Sequence, residues 1–450
     1  MTKMLRGAGL LSAVSLAALM SATAPQNAVA AGYALKEQSA SGLGTSFAGA
    51  TANGMNDASG MFFNPAALGV LEGNQVVQQF TGVMPYAKIE NARGSYATAL
   101  GGRSISGDAN PGDAGQDAIV PSGYAMMSIS PDLKVGIAIT VPWGLATDYP
   151  SNWIGRYHAV ESELRTINVQ PTVSYRINPM ITVGGGLQMQ YAKATLSQMT
   201  DAATLIRRRT GLALTPGSLD AYARLNGDDI GWGAVAGVMI EPAKGTRIGL
   251  SYRSAVKHDI EGDIQFSGLP AAFRTALPSS NASAKVVTPE IASLGAYHEF
   301  NDRWAVMADV SWTNWSRFRE LRVNFENPNL TPSVTEEKWR DAWFFAVGAS
   351  YKPMDNLTLR VGAAYDQSPT PDADRTPRIP DEERYWLSAG ASFKFNDLLT
   401  VDLSYAHLFV PDASLNQVDT LTGPNAARGN LSGTYKNHVD LVGVQAKLSF

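Results

Sequence analysis

The sequence predicts an all-β fold: a transmembrane antiparallel β-barrel of 14 strands with an N-terminal hatch plugging the lumen. Three observations point there. Apolar residues recur with a period of two over stretches of ten residues or more, where strands of soluble sandwiches usually run about 5–6 residues. Short and long turn-rich connections alternate along the chain. Beyond the N-terminus no apolar run approaches the roughly 18 residues a membrane helix needs. Mean hydropathy is −0.10, as expected when lipid-facing and lumen-facing side chains alternate and average out.

Composition sets the outer limits. Of 450 residues, 45% are apolar and only 17% charged, below the roughly 25% of soluble globular chains. Basic and acidic side chains number 36 and 40, so no basic field for nucleic acid is present. Cysteine is absent, which excludes disulfides, thiolate metal sites, a cysteine nucleophile and a lipidated N-terminal cysteine.

The first 30 residues read as an address. Lys3 and Arg6 precede the small apolar run from Gly7 to Met20, and Ala28-Val29-Ala30 has the pattern of a leader-peptidase site. Residues 1–30 are therefore expected to be a signal peptide, with Ala31 starting the mature chain.

The strands follow from alternation. Ile167, Val169, Val173 and Tyr175 share one face of a stretch whose other face carries Thr166, Asn168, Gln170, Thr172 and Ser174. Val135, Ile137, Ile139 and Val141 alternate with Gly136, Ala138 and Thr140, and Ile181, Val183, Leu187, Met189 and Tyr191 with small or polar residues that include Gln188 and Gln190. Trp304, Val306, Val310 and Trp312 repeat the pattern, and the chain closes on Val442, Val444, Ala446, Leu448 and Phe450. Trp143, Tyr157, Tyr191, Tyr252, Trp312, Trp315, Trp343 and Tyr405 lie near strand ends, where interface girdles sit.

The turns set the number of strands. Short connections are expected at Pro131-Asp132-Leu133, Asn178-Pro179-Met180, Pro242-Ala243-Lys244, Phe300-Asn301-Asp302, Pro353-Met354-Asp355-Asn356 and Asn396-Asp397-Leu398. Longer polar stretches, such as 91–117, 198–228, 261–284, 368–383 and 411–433, lie between them. Six short turns and seven long loops require 14 strands and leave both barrel ends on the periplasmic side. The same parity assigns 320–327 to the strand from Arg303 or to its loop. The barrel spans 75–450.

Residues 31–74 lack long alternation and are rich in Gly, Ala, Ser and Asn. A barrel of this width leaves a channel unless something fills it. Leu35, Leu43, Phe47, Met61, Phe62 and Phe63 give this segment the apolar content of a packed hatch. Asn64-Pro65-Ala66 forms a fixed turn within it, because proline sets φ and asparagine can bond its own backbone.

Ala31-Gly32-Tyr33-Ala34-Leu35, Ser39-Ala40-Ser41-Gly42-Leu43-Gly44 and Asn64-Pro65-Ala66 follow one another in this segment. Further on come Trp153-Ile154-Gly155-Arg156-Tyr157, Trp339-Arg340-Asp341-Ala342-Trp343, Asp366-Gln367-Ser368-Pro369, Ile379-Pro380-Asp381 and Arg384-Tyr385-Trp386. In this order, over essentially the whole mature chain, they resemble the long-chain fatty acid outer-membrane transporters (FadL type), which include aromatic-hydrocarbon uptake channels. The resemblance implies passive uptake of hydrophobic molecules across a bacterial outer membrane. Long-chain fatty acids are the first choice of substrate and aromatic hydrocarbons the alternative. A structural or adhesive barrel is the reading from a different class, and a hatch, which only a gated lumen requires, argues against it.

A fatty acid needs an apolar slot and a cation for its carboxylate, and arginine suits this by staying charged and bonding both oxygens. By position in the family pattern Arg340 is the first candidate, Arg156 the second and Arg384 the third. Tyr33 stands where the family has an apolar aromatic near the ligand. The resemblance also implies sideways release where an inward-kinked strand leaves its neighbour. Pro142 and Gly144, in Thr140-Val141-Pro142-Trp143-Gly144, are the candidates for that gap, since proline donates no ladder hydrogen bond and glycine weakens pairing. Pro85, Pro121 and Pro171 are the other in-strand prolines. Residues 201–226, with Arg207, Arg208 and Arg209 beside short apolar runs, are expected to form small helices suited to capture.

Other chemistry is set aside. Gly42-Leu43-Gly44 lacks the Lys-Ser/Thr end of a phosphate loop. His158, His258, His298, His407 and His438 have neither metal-ligand spacing nor a nucleophile motif, and Pro371-Asp372-Ala373-Asp374 lacks a calcium-loop pattern. No enzyme activity, cofactor, metal or nucleic acid is expected. The expected partners are hydrophobic small molecules, outer-membrane lipid, lipopolysaccharide and the barrel assembly machinery, with the chain acting as a monomer.

Overall fold

The structure, a computed structural model, describes residues 32–328, 330–420 and 428–450, without the side chain of Arg209. The expected signal peptide, 1–30, and Ala31 lie outside the described residues.

Alternating sequence produces alternating burial. In the strand Glu161–Asn178, Asn168, Gln170, Thr172 and Ser174 are buried in the lumen while Val173 and Tyr175 are exposed toward lipid. The polar row faces inward and the apolar row outward, the reverse of a soluble sheet, because here the outer solvent is hydrocarbon.

A closed 14-stranded antiparallel barrel results. Its strands are β1 (Gln75–Ser95), β2 (Ala118–Ser128), β3 (Leu133–Thr140 and Gly144–Asp148), β4 (Glu161–Asn178), β5 (Ile181–Asp201), β6 (Asp220–Ala243) and β7 (Thr246–Arg253 and Val256–Ser267). They continue as β8 (Ser280–Thr288 and Ile291–Glu299), β9 (Trp304–Thr313 and Glu320–Phe325), β10 (Ser333–Glu336 and Ala342–Met354), β11 (Leu357–Asp366), β12 (Arg384–Lys394), β13 (Leu399–Phe409 and Ala413–Gln417) and β14 (Asn430–Ser449). Each pairs with the next, and β1 closes on β14 from Gln75↔Ser449 to Ser95↔Asn430. Phe450 seals the seam, its N–H donating to Asn74 O at 3.0 Å.

All six expected short turns are present, and Glu320–Phe325 continues β9, pairing with β8 as parity required. The long loops are shorter than expected. Much of 198–228 and 261–284 is strand, because β5 to β8 extend well past the apolar band. Their upper halves reverse the alternation: in Val256–Ser267 the apolar Val256, Ile260 and Ile264 are buried inside while Lys257, Asp259 and Glu261 are exposed, so a search for an apolar outer row passes over them. Of 201–226, Ala202–Thr210 is helical, capped by the Asp201 side chain on Thr204 N. The girdle assignment needs correction too. Tyr252, Trp343 and Tyr405 are exposed on the outer face, but Trp143, Trp315 and Tyr157 are buried inside.

Residues 32–74 lie within the barrel, as two short helices (Ala40–Leu43 and Gly60–Phe63) and a 3-10 turn (Pro65–Val70). Backbone meets wall so closely that glycine is required opposite. A Cβ on Gly249 would sit 2.0 Å from Thr51 O, and one on Gly362 2.1 Å from Thr45 C. Polar ties complete the fit. Thr51 N and Oγ1 donate to Asp309 on β9 at 2.9 and 3.1 Å. Gln445 on β14 donates to Asp57 at 2.9 Å.

Candidate functional site

Asn64, Pro65 and Ala66 lie against β6 and β5. The Asn64 side chain donates to Thr51 O (2.9 Å) and Val238 O (3.1 Å) and accepts from Ala66 N (2.9 Å). One asparagine thus joins two parts of the N-terminal segment to the wall.

Pro142 and Gly144 mark a break in the wall. β1 pairs with β2 up to Val83↔Ala118, but β2 pairs with β3 only up to Gly123↔Ile139. Ala118 to Ser122 therefore face no strand on the β3 side until Gly115 bridges Thr147. β3 stays with β4 across a bulge, where the Thr166 hydroxyl accepts from Trp143 N and donates to Trp143 O. The N-terminus takes up the vacated edge. Leu35 N donates to Pro142 O and Gly144 N donates to Tyr33 O, both at 2.9 Å.

Tyr33 is buried in an aromatic cluster, its ring 4.6 Å from Trp315, 5.7 Å from Phe318 and Trp339, and 5.9 Å from Trp143. Its hydroxyl donates to Val287 O at 3.4 Å.

Beside this cluster, between the N-terminal segment and the wall, is a cavity of about 80 Å³. Leu35, Phe47, Phe62, Phe63, Trp143, Trp315 and Phe344 make its apolar walls, and Pro142 borders it. Two cations reach it. Arg253 is spoken for, donating to Phe62 O (2.7 Å) and Gln170 (3.1 Å). Lys36 has its ammonium 4.1 Å from the centre of the Phe344 ring and no ion pair among the described residues. Burial pushes its pKa down, opposed by Asp366, Asp309 and Glu37. Burial also pushes the Glu37 carboxyl up to about 7.

A larger cavity of about 700 Å³ opens among the extracellular extensions of β5 to β10. Leu205, Ile264, Phe266, Leu277, Val323 and Phe325 make it apolar, and Arg208, Arg378 and Arg428 line it. Arg378 is held by Ser162 (2.9 Å) and Gln198 (2.9 Å), and Arg428 by Thr335 (3.0 Å) and Ser333 (3.0 Å). Neither meets a carboxylate within ion-pair distance among the described residues. Burial and the neighbouring Arg428 push Arg378 down to about 9, and burial pushes Glu337 nearby up to about 8. An anionic head group would relieve both arginines.

The three arginines chosen from sequence are dispersed. Arg340 is exposed, its backbone N–H donating to Pro369 O, and lines neither cavity. Arg156 pairs with Asp220 at 2.9 Å and donates to Ser106 O and Tyr157. Arg384 is buried and pairs with Asp381. Arg208 does reach the outer cavity, while the Arg209 side chain lies outside the described residues. Sequence reasoning missed Lys36, although one signal was available: Lys36 and Glu37 are the only charges between Ala31 and Asn56. Arg378 and Arg428 had no comparable signal, since their loops meet only in three dimensions.

A lipid-facing closed barrel, a filled lumen and two amphipathic cavities define a class: an outer-membrane transporter for hydrophobic molecules. The comparisons with known proteins agree. A family profile, "Outer membrane protein transport protein (OMPP1/FadL/TodX)", matches residues 21–450, and the chain belongs to that family. It is 32% identical to a long-chain fatty acid transport protein of Escherichia coli O6:H1, over 88% of this chain and 90% of that one. It is 28% identical to outer membrane protein P1 of Haemophilus influenzae, over 97% and 99%. Among solved structures, a Pseudomonas aeruginosa FadL homologue superposes with a TM-score of 0.85 at 26% identity, covering 93% of this chain and all of that one. The toluene transporter TodX of Pseudomonas putida shares the fold, with a TM-score of 0.70 at 19% identity over 94% and 100%. These relatives place the chain in the bacterial outer membrane as a transporter, not an enzyme.

Proposed function

We propose that this protein carries long-chain fatty acids passively, by capture in the outer cavity, binding in the lumen cavity and release through the wall beside Pro142. The carrying observation is the coincidence of three features at one place: an apolar cavity, a cation at Lys36 without an ion pair among the described residues, and a break in the β2–β3 ladder. The names of the relatives at 28–32% identity support the choice of substrate. In this role Lys36 holds the carboxylate, and residues 31–74 act as the hatch.

The lumen cavity, about 80 Å³, is smaller than the roughly 150 Å³ of a cavity that admits benzene. Occupation by an acyl chain therefore requires its movable wall, Ala34 to Lys36, to shift. That couples ligand arrival to the hatch without an energy source. The aromatic wall of Trp143 and Trp315 gives the hydrocarbon reading its own support, so the test separates the two.

Oleate and toluene binding to the purified barrel is measured for wild type, Lys36→Met and Arg340→Ala. Oleate should bind wild type and weaken by about 1.5–3 kcal/mol in Lys36→Met, the scale of a hydrogen bond to a charged group. Arg340→Ala should leave it unchanged. Toluene binding without oleate binding would move the protein to hydrocarbon uptake, and binding of neither would leave a structural barrel.

A further inference from the structure

The break between β2 and β3 has a cause that lies in β2. Extending the observed register from Gly123↔Ile139 by two residues sets Pro121 opposite Val141. Proline has no N–H, so it cannot complete a pair in which both residues exchange hydrogen bonds. Val141 would lose its donor, yet its N–H and C=O are both satisfied, and by one side chain. Gln38 Oε1 accepts from Val141 N at 3.1 Å, and Gln38 Nε2 donates to Val141 O at 2.7 Å.

The same amide reaches the other edge. Gln38 Oε1 accepts from Ser122 Oγ at 2.7 Å, and Gln38 Nε2 donates to Leu35 O at 3.2 Å. The Gln38 backbone carbonyl accepts from Tyr124 OH at 2.6 Å. Gln38 is fully buried. A side-chain amide offers the acceptor and donor of a peptide group, so it can occupy the ladder position that Pro121 leaves incomplete.

We propose that Gln38 is the positioning residue that keeps the lateral opening closed, by acting as a removable peptide group between Ser122 of β2 and Val141 of β3. Its backbone belongs to the N-terminal tip, so the opening is closed only while the tip is docked. When Ala34 to Lys36 shift for a ligand, Gln38 is drawn out with them. Both edges are then left with unpaired polar groups facing a gap that Pro121 cannot close. The opening thus follows occupancy of the cavity instead of standing permanently ajar. The proposal rests on the lateral-release reading only for its consequence in transport; the latch itself is a statement about the gap.

The chain has no cysteine, so a single Val120→Cys, buried beside the gap, reports opening by its rate of reaction with a membrane-permeant maleimide. Full-length barrel in lipid vesicles is compared with and without Gln38→Met, which keeps the shape of the side chain and removes its hydrogen bonds. Labelling should rise about tenfold, the scale of one or two net hydrogen bonds, and oleate flux should change with it. Faster labelling with unchanged oleate flux would uphold the latch and overturn lateral release. Unchanged labelling would overturn the latch, whatever the flux. Gln38→Glu, which keeps the acceptor and loses the donor, serves as the second variant should Gln38→Met fail to fold, and its labelling should rise to an intermediate rate.

Discussion

The two parts of the N-terminal segment are held by different means. From Ser39 to Leu71 the chain is tied around the ring: Thr51 to Asp309 on β9, Asn64 to Val238 on β6, Asp57 to Gln445 on β14. To move this body, bonds on several sides must break together. The tip, Tyr33 to Gln38, makes most of its bonds to β2 and β3, with single ties from Gln79 on β1 to Glu37 O and from Tyr33 to Val287 on β8. It bonds β3 through Leu35 and Gln38 and β2 through Gln38, and it packs Tyr33 into the aromatic cluster. An attachment concentrated on one flank can peel while the ring of anchors stays intact. The difference assigns movement to the tip and support to the body.

The largest effect is expected from Tyr33→Ala. Removing a buried aromatic side chain costs about 3 kcal/mol. Amide exchange at Leu35 and Gln38 should accelerate by about a hundredfold, while Ala66 and Ala67 keep their protection. Loss of protection in both regions would show that they move as one body.

Asn64→Ala should cost about 2 kcal/mol, since it removes the donor to the buried Thr51 carbonyl and the acceptor for Ala66 N, and a second donor to Val238 O. Here protection around Thr51 and Ala66 falls first. Exchange confined to the tip would reverse the assignment of anchor and tip.

Glu37 adds a pH dependence to the tip. Burial raises its carboxyl from the ordinary 4.5 to about 7, and its Oε2 has no hydrogen-bond partner. The docked tip therefore binds more protons than the undocked one between those values, so docking weakens as pH rises through that window and is constant above it. Labelling of Val120→Cys should increase from pH 5 to pH 8 relative to a Glu37→Gln background. Parallel profiles in the two backgrounds would remove Glu37 from this role.

The smallest effect is expected from Pro121→Ala. It restores the N–H opposite Val141, but Gln38 already occupies that place, so labelling of Val120→Cys should fall by less than about threefold, within the net value of one hydrogen bond. Combined with Gln38→Met, the same change should reverse much of the excess labelling.

Much of the fold was legible from local pattern. The six short turns, the parity that folded 320–327 into β9, and the inward row from Thr166 to Ser174 all depend on residues adjacent in sequence. The upper halves of β5 to β8 were read as loops, because above the membrane the outer face meets water and the alternation reverses, with Val256, Ile260 and Ile264 inside and Lys257, Asp259 and Glu261 outside. The structure places the candidate site residues at different points of the fold. Pro142 lies at a ladder break and Tyr33 beside it, while Arg340 is exposed and lines neither cavity, and Arg156 and Arg384 are engaged with Asp220 and Asp381.

The sequence by itself determined the barrel, its strand number and the presence of a distinct N-terminal segment, because period-two alternation and turn residues act over a few positions. Only the tertiary structure decided which cations reach the cavities, and which side chain completes the edge that Pro121 leaves open. Lys36 is set apart by what surrounds it in the lumen, and Gln38 meets Val141 103 residues away in sequence. Such pairings are set by how distant segments pack in three dimensions, which no local pattern records.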